Sequence, residues 1–134
     1  MSIINIRAAL ESAIKTVDTT ISTSFENVAF TPPDLKKPYQ VINILYAQPD
    51  NLEIGRTHIE RGYIQIKLLY PLQSGTKDIN TQAELIRDTF YRGASFVKNN
   101  TTVTIDKTPE ITPGYVDGNM YSMPIKIRFT AQTT

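Results

Sequence analysis

The sequence predicts an α+β fold: a two-layer sandwich, mainly antiparallel sheet, with two helices packed on one face. Three observations predict it. Two segments, 6–17 and 79–90, carry apolar residues at steps of three and four, the spacing of one helix face. Segments 58–70 and 123–129 alternate apolar and polar residues, so each strand has one packed side and one wet side. The order of elements is helix, three strands, helix, then two or three strands, and the helices must cover the apolar side of the sheet.

The opening helix places Ile6, Leu10, Ile14 and Val17 on one face. Arg7, Glu11 and Lys15 lie on another at steps of four, where Arg7–Glu11 and Glu11–Lys15 are positioned for weak pairing. Ser2 is the expected N-cap, and the β-branched run Thr16 to Thr20 ends the helix. Phe25, Val28 and Phe30 predict a short, irregular first strand, stopped by Pro32-Pro33, which cannot donate to a ladder. Tyr39 to Ala47 reads as a second strand, broken at Gln48-Pro49-Asp50-Asn51. In 58–70, Ile64, Ile66 and Leu68 share the packed face, and Tyr63, Gln65 and Lys67 the other.

After a Ser74-Gly75 turn, a second helix is capped by Thr76 or Asp78 and carries Ile79, Ala83, Ile86 and Phe90 on one stripe. Gly93 is placed to close it in a left-handed conformation. Thr102 to Asp106 points Val103 and Ile105 inward, and a turn-rich stretch from Pro109 to Gly118 follows. The last strand alternates Met123, Ile125, Ile127 and Phe129 with Lys126 and Arg128, and the tail from Ala131 is expected to fray.

Composition excludes more than it assigns. The 134 residues form a single domain, 1–134, long enough to hold a core without a disulfide or metal staple. A net charge of +1, from 14 basic and 13 acidic residues, argues against bulk attraction to nucleic acid or anionic membrane. With no cysteine there are no disulfides, thiolate nucleophiles or Cys-based zinc sites. The start, Ile3-Ile4-Asn5-Ile6-Arg7, is too broken by polar residues for a signal peptide, and no stretch suits a membrane span. A cytosol-like compartment is the expected site of synthesis.

Catalysis finds little support. His58 is the only histidine; Glu60 shares its strand face and could orient it, but a solvated strand start explains the pair more simply. No serine sits in a Gly-x-Ser-x-Gly elbow, and the six glycines are too scattered to cradle a phosphate. No metal-ligand spacing and no cofactor motif is present. Asn99-Asn100-Thr101-Thr102 contains N-x-[ST] sequons and reads as an ordinary loop. Lys36, Lys37, Arg56, Arg61, Arg92, Lys98, Lys126 and Arg128 would make a phosphate-facing patch only if they converged. The segment from Pro49 to Gly55 is more unusual, because it joins two strands yet carries Leu52 and Ile54, which either tuck onto their own domain or await a partner.

The linear pattern resembles one family. Phe25-Glu26-Asn27-Val28-Ala29-Phe30-Thr31-Pro32-Pro33 precedes Pro38-Tyr39, and Gly62-Tyr63-Ile64-Gln65-Ile66 leads to Tyr70-Pro71 and Ser74-Gly75. Ala83 and Ile86 precede Phe90-Tyr91-Arg92-Gly93, and Gly114-Tyr115-Val116-Asp117-Gly118-Asn119-Met120-Tyr121 precedes Pro124-Ile125-Lys126-Ile127. In order and spacing these resemble the tail terminator-like family of long-tailed bacteriophages and prophages, across nearly the whole chain. One departure is Met120, where a tryptophan is expected before the tyrosine.

The resemblance implies a structural virion protein, not an enzyme. It would assemble in the host cytoplasm as a ring, commonly a hexamer, on the head-proximal end of the tail tube. There it would end tube polymerisation and offer a joining surface to the head-tail connector or stopper protein, with DNA passing through the lumen without specific binding. Another neck component or a tail tube subunit is the alternative. Neither a cofactor, a metal nor a membrane enters this reading. On it, the hairpin region from Gln48 to Arg61 is the candidate interface with neighbouring subunits or the tube: Leu52 and Ile54 as apolar anchors, and Arg56, His58, Glu60 and Arg61 as rim partners.

Overall fold

A computed structural model describes residues 3–18, 20–31, 37–51 and 58–133. Helix α1 spans Ile3–Val17 and α2 spans Lys77–Thr89. The strands are β1 (Ser22–Ser24), β2 (Tyr39–Tyr46), β3 (Glu60–Pro71), β4 (Ser95–Lys98), β5 (Thr101–Ile105), β6 (Glu110–Ile111), β7 (Tyr115–Asp117) and β8 (Met120–Thr133). They form one sheet in the order β1-β2-β3-β8-β5-β4, with β6 and β7 also paired to β8. β1 runs parallel to β2, and the other pairings are antiparallel. The domain is therefore α+β with a mixed, mainly antiparallel sheet. Among the described residues no helix is long and apolar enough to cross a membrane.

The packed side follows from strand alternation. Ile64, Ile66 and Leu68 of β3 are fully buried, and their register partners Ile127, Ile125 and Met123 of β8 share that side. Ile42 and Ile44 of β2 and Val103 and Ile105 of β5 extend it. Ile6, Leu10 and Ile14 from α1 and Ile79, Ala83 and Ile86 from α2 enter the same cluster. Each of these larger side chains contributes about 1.5–3 kcal/mol by leaving water, so the two helical stripes and the apolar sheet face hold one another. Phe90 and Phe129 are the largest fully buried side chains.

Several local expectations change. The segment after β1 is not a strand: Asn27 adopts φ 55° and the Val28 N–H donates to Phe25 O, so the chain turns where a ladder would need extension. The strand lies just before it, at Ser22–Ser24. Glu26 then takes the place of a strand neighbour, its carboxylate accepting from the Ile44 N–H. Arg7 pairs with that same Glu26 at 3.3 Å rather than with Glu11, and the Lys15 ammonium sits 5.1 Å over the Phe25 ring. Both contacts reach beyond the helix to tie it to the sheet.

At the other end, Asn99 and Asn100 both have positive φ (46° and 64°) and join β4 to β5 through a two-residue turn. That geometry fits a type I′ hairpin, in which asparagine tolerates the left-handed region. Gly93 does adopt a positive φ of 92°, but α2 is capped earlier, at Phe90. The glycine instead directs the chain into β4, its N–H donating to Ile105 O. The turn-rich stretch holds β6 and β7, each short because it covers only part of β8. Pro124 is tolerated in this central strand because the β7 register ends at Ser122 and the β6 register begins at Ile125. As far as Thr133 the tail continues β8 rather than fraying: Ala131 is fully buried, paired with Glu60 on one side and Val103 on the other.

Candidate functional site

The buried residues of both helices join the cluster on one side of the sheet, and cross-strand register maps what the second side carries. Leu45, Tyr63 and Arg128 form one row; Asn43, Gln65, Lys126 and Glu110 form the next. Val41, Lys67 and Pro124 form a third, and Arg61 lies beside Thr130 at the opposite end. Strand alternation alone puts Tyr63, Gln65 and Lys67 with Lys126 and Arg128 on this side. Their neighbourhood depends on the β3–β8 register, which brings Arg61, Arg128, Lys126 and Lys67 into a strip along two central strands. Asp106, Glu110 and Asp117 border that strip on the β5–β7 side.

The charges are differently engaged. Arg61 pairs with Asp50, and Lys67 pairs with Asp117. The hydrogen bond from Lys67 holds the Asp117 carboxyl below the usual carboxylate range, and the same bond raises Lys67 above the usual lysine range. The Lys126 ammonium lies 4.1 Å from the Tyr63 ring centroid, a cation–π contact. Asp106 accepts from the Thr130 hydroxyl at 2.6 Å. Among the described residues, Arg128 and Lys107 have no ion-pair partner. Tyr63 separates two shallow grooves of about 370 Å³ each, one lined by Arg61, Asp106, Lys107 and Arg128, the other by Gln65, Glu110 and Lys126.

The predicted interface residues divide around this side. Leu52, Ile54 and Arg56 lie outside the described residues. The base of their hairpin is held by Ala47 N–H to Arg61 O at 2.8 Å and by paired bonds between Asp50 and Ile59 at 2.9 and 2.8 Å. Tyr46 faces Gly62 and Asp50 faces Ile59, four steps against three, so one extra residue bulges the strand at Ala47 to Asp50. Pro49, unable to donate, falls in that bulge. Arg61 reaches the open side. Glu60 is buried at the end of the packed side and is in hydrogen-bond contact with His58, Nε2 to Oε1 at 2.9 Å. Nearby, burial pushes the Tyr46 hydroxyl above its ordinary pKa, with the Arg7 charge opposing.

Of the basic residues named from sequence, Arg61, Lys126 and Arg128 converge, whereas Arg92 and Lys98 lie beyond α2 and on β4. Lys36 and Arg56 lie outside the described residues. Sequence reasoning missed Lys67, Lys107 and Asp117 as members of the strip; the polar alternation of β3 was the available signal. Among the described residues, no three His, Asp or Glu side chains gather to hold a metal ion. The arrangement offers charge, an aromatic ring and shallow relief.

No curated protein matches the sequence. A solved structure that is 19% identical superposes with a TM-score of 0.82 over 100% of this chain and 98% of that chain, which shows a shared fold. The family model described as phage tail terminator protein matches residues 5–129, from the first turn of α1 to the buried Phe129 of β8. With the match running from the first helix through the central strand, the chain belongs to the phage tail terminator family, a family of structural proteins of the virion tail.

Proposed function

We propose that this protein caps the head-proximal end of the phage tail tube as a ring, hexameric on the family's pattern, ends tube polymerisation and presents the head-tail joining surface. The observation that carries the reading is the family match over residues 5–129, which takes in α2, all but the first two residues of α1 and all but the end of the central strand. In this reading the domain is a two-layer sandwich whose helix layer and open sheet side face different neighbours. A ring of identical subunits needs two unlike, complementary patches on each subunit, which a balanced charge suits better than a single-sign surface. The segment from Gln48 to Arg61, which carries Leu52 and Ile54, is the best candidate for a contact with neighbouring subunits or the tube. The tail tube protein and a connector or stopper protein are the expected partners. DNA passes through the lumen without specific recognition, and assembly takes place in the host cytoplasm before the subunit becomes part of the virion neck.

Negative-stain imaging of the purified protein mixed with purified tail tubes tests the reading. Closed rings seated on one end of each tube are expected. Long tubes made by the protein alone would assign it to the tube, and dodecameric particles would assign it to the connector. A monomer that leaves tube ends bare would contradict the proposal.

A further inference from the structure

The outward stripe of α2 breaks two helix rules at one place. Glu84 and Asp88 are exposed, like-charged and four residues apart, a pairing that disfavours the helix. Asp88 also lies in the last turn, where the helix dipole disfavours an anion. Among the described residues, neither acid has a salt-bridge partner. Arg87, the cation of that turn, is turned away and donates to Pro109 O at 3.0 and 3.2 Å. Between the two acids Leu85 is 42% exposed. Local rules broken together without an internal compensation are expected where a surface has another purpose.

The opposite side of the domain carries the complement. The buried residues of α2 pack with Ile64, Ile66 and Leu68, so its outward stripe and the open side of the sheet face away from each other. On the open side, Leu45 is 43% exposed in the same row as Tyr63 and Arg128. Among the described residues, Arg128 and neighbouring Lys107 are the cations of that groove with no ion-pair partner. Each patch thus has an apolar anchor and unpaired charge, of opposite sign.

We propose that the Glu84–Leu85–Asp88 stripe of one copy docks onto the Leu45–Tyr63–Arg128 row of the next. The proposal rests on the ring reading and names its subunit contact. Because the two patches lie on opposite sides, the contact is heterologous and repeats head to tail, closing where the rotation between copies allows. A stable contact covers about 800 Å² on each partner, roughly a tenth of a surface of 8031 Å². A protein partner fits better than nucleic acid, because the row presents the exposed apolar Leu45, for which a phosphate backbone has no use.

Charge reversal on exposed positions tests the contact, with far-UV circular dichroism confirming the fold of each variant. Arg128→Glu alone, and Glu84→Arg with Asp88→Arg, should each raise the protein concentration needed for rings on tube ends by about tenfold or more. The three substitutions combined in one chain should return it to within about threefold of wild type, because both patches have changed sign. Rings at unchanged concentration in the reversed variants, beside normal wild-type rings, would overturn this contact and leave the ring reading standing. A wild-type protein that forms no ring would overturn the ring reading and the contact with it. If Arg128→Glu kept its rings but lost retention of duplex DNA, the row would be a phosphate surface and the contact wrong.

Discussion

Replacing Gly62 with alanine probes a close approach of β2 to β3. A Cβ there would meet the Leu45 carbonyl oxygen at 2.2 Å, Tyr46 Cα at 3.1 Å and Leu45 C at 3.2 Å. The first distance is far inside any ordinary carbon–oxygen contact, and the obstacle is backbone held in the ladder, so no side chain can swing away. Forcing the strands apart costs about 1–3 kcal/mol, as for an extra methylene in a packed interior. A weakened ladder hydrogen bond adds about 0.5–1.5 kcal/mol. Together these take about 2–4 kcal/mol from a domain whose whole stability is on the order of 5–15 kcal/mol. For a chain of this size the melting temperature should fall by roughly 6–16 °C. The sign is informative, because alanine in place of glycine at an unobstructed site stabilises by about 0.4–1 kcal/mol through the unfolded chain. Urea and thermal unfolding followed by circular dichroism, at matched protein concentration, measures it. An unchanged or raised melting temperature would refute the close approach and the β2–β3 register behind the Leu45–Tyr63 row.

The Lys67–Asp117 pair predicts a pH window. The lowered Asp117 contributes stability above the ordinary carboxylate range that is lost as pH falls through its folded pKa, and the raised Lys67 contributes below the ordinary lysine range and loses it as pH rises through its own. Asp117→Asn should therefore lower urea stability near neutral pH and converge with wild type at both extremes; a pH-independent difference would contradict the pairing. Replacing Leu52 and Ile54 with serine should weaken ring assembly while the far-UV spectrum stays that of the folded subunit. Rings at the wild-type concentration would remove that hairpin from the interface.

What was legible in the sequence was each element's own periodicity. The alternation of Ile64, Ile66 and Leu68 against Tyr63, Gln65 and Lys67 marks the packed and open sides of β3, because successive side chains of a strand point oppositely whatever lies beside it. The stripes of α1 and α2 were equally plain, since Ile6, Leu10 and Ile14, and Ile79, Ala83 and Ile86, stack at helical spacing. Pairing was not legible. Register between Tyr63 and Arg128 joins residues far apart in the chain, and no local signal in either strand names the other. Arg61, Lys126 and Arg128 could only be named as scattered cations until that register was known.

Short elements were misread for a related reason. Ser22–Ser24 has too little apolar content to mark a strand, and it is one because it borders β2. Phe25, Val28 and Phe30 have the composition of a strand, but Asn27 in the left-handed region turns the chain. The Asn99-Asn100 pair is a hairpin signal in its own right and identifies the β4–β5 turn once both residues are recognised as tolerant of positive φ. For the tail, terminal position suggested fraying, whereas Ala131 is held by ladders on both sides. The length of the Gln48–Arg61 segment and its two apolar residues single it out in the sequence, whereas the grouping of charges on the second side of the sheet needed the register.

The central claim is that this subunit ends the growth of a tail tube, and tube length measures that directly. Tail tube protein would be polymerised in the presence of increasing amounts of the subunit, and tube lengths measured in electron micrographs. The account predicts that mean length falls as the subunit is added, with each shortened tube bearing a ring at one end and refusing further tube protein. Tubes that keep their length distribution, or that continue to elongate after the subunit is added, would contradict it.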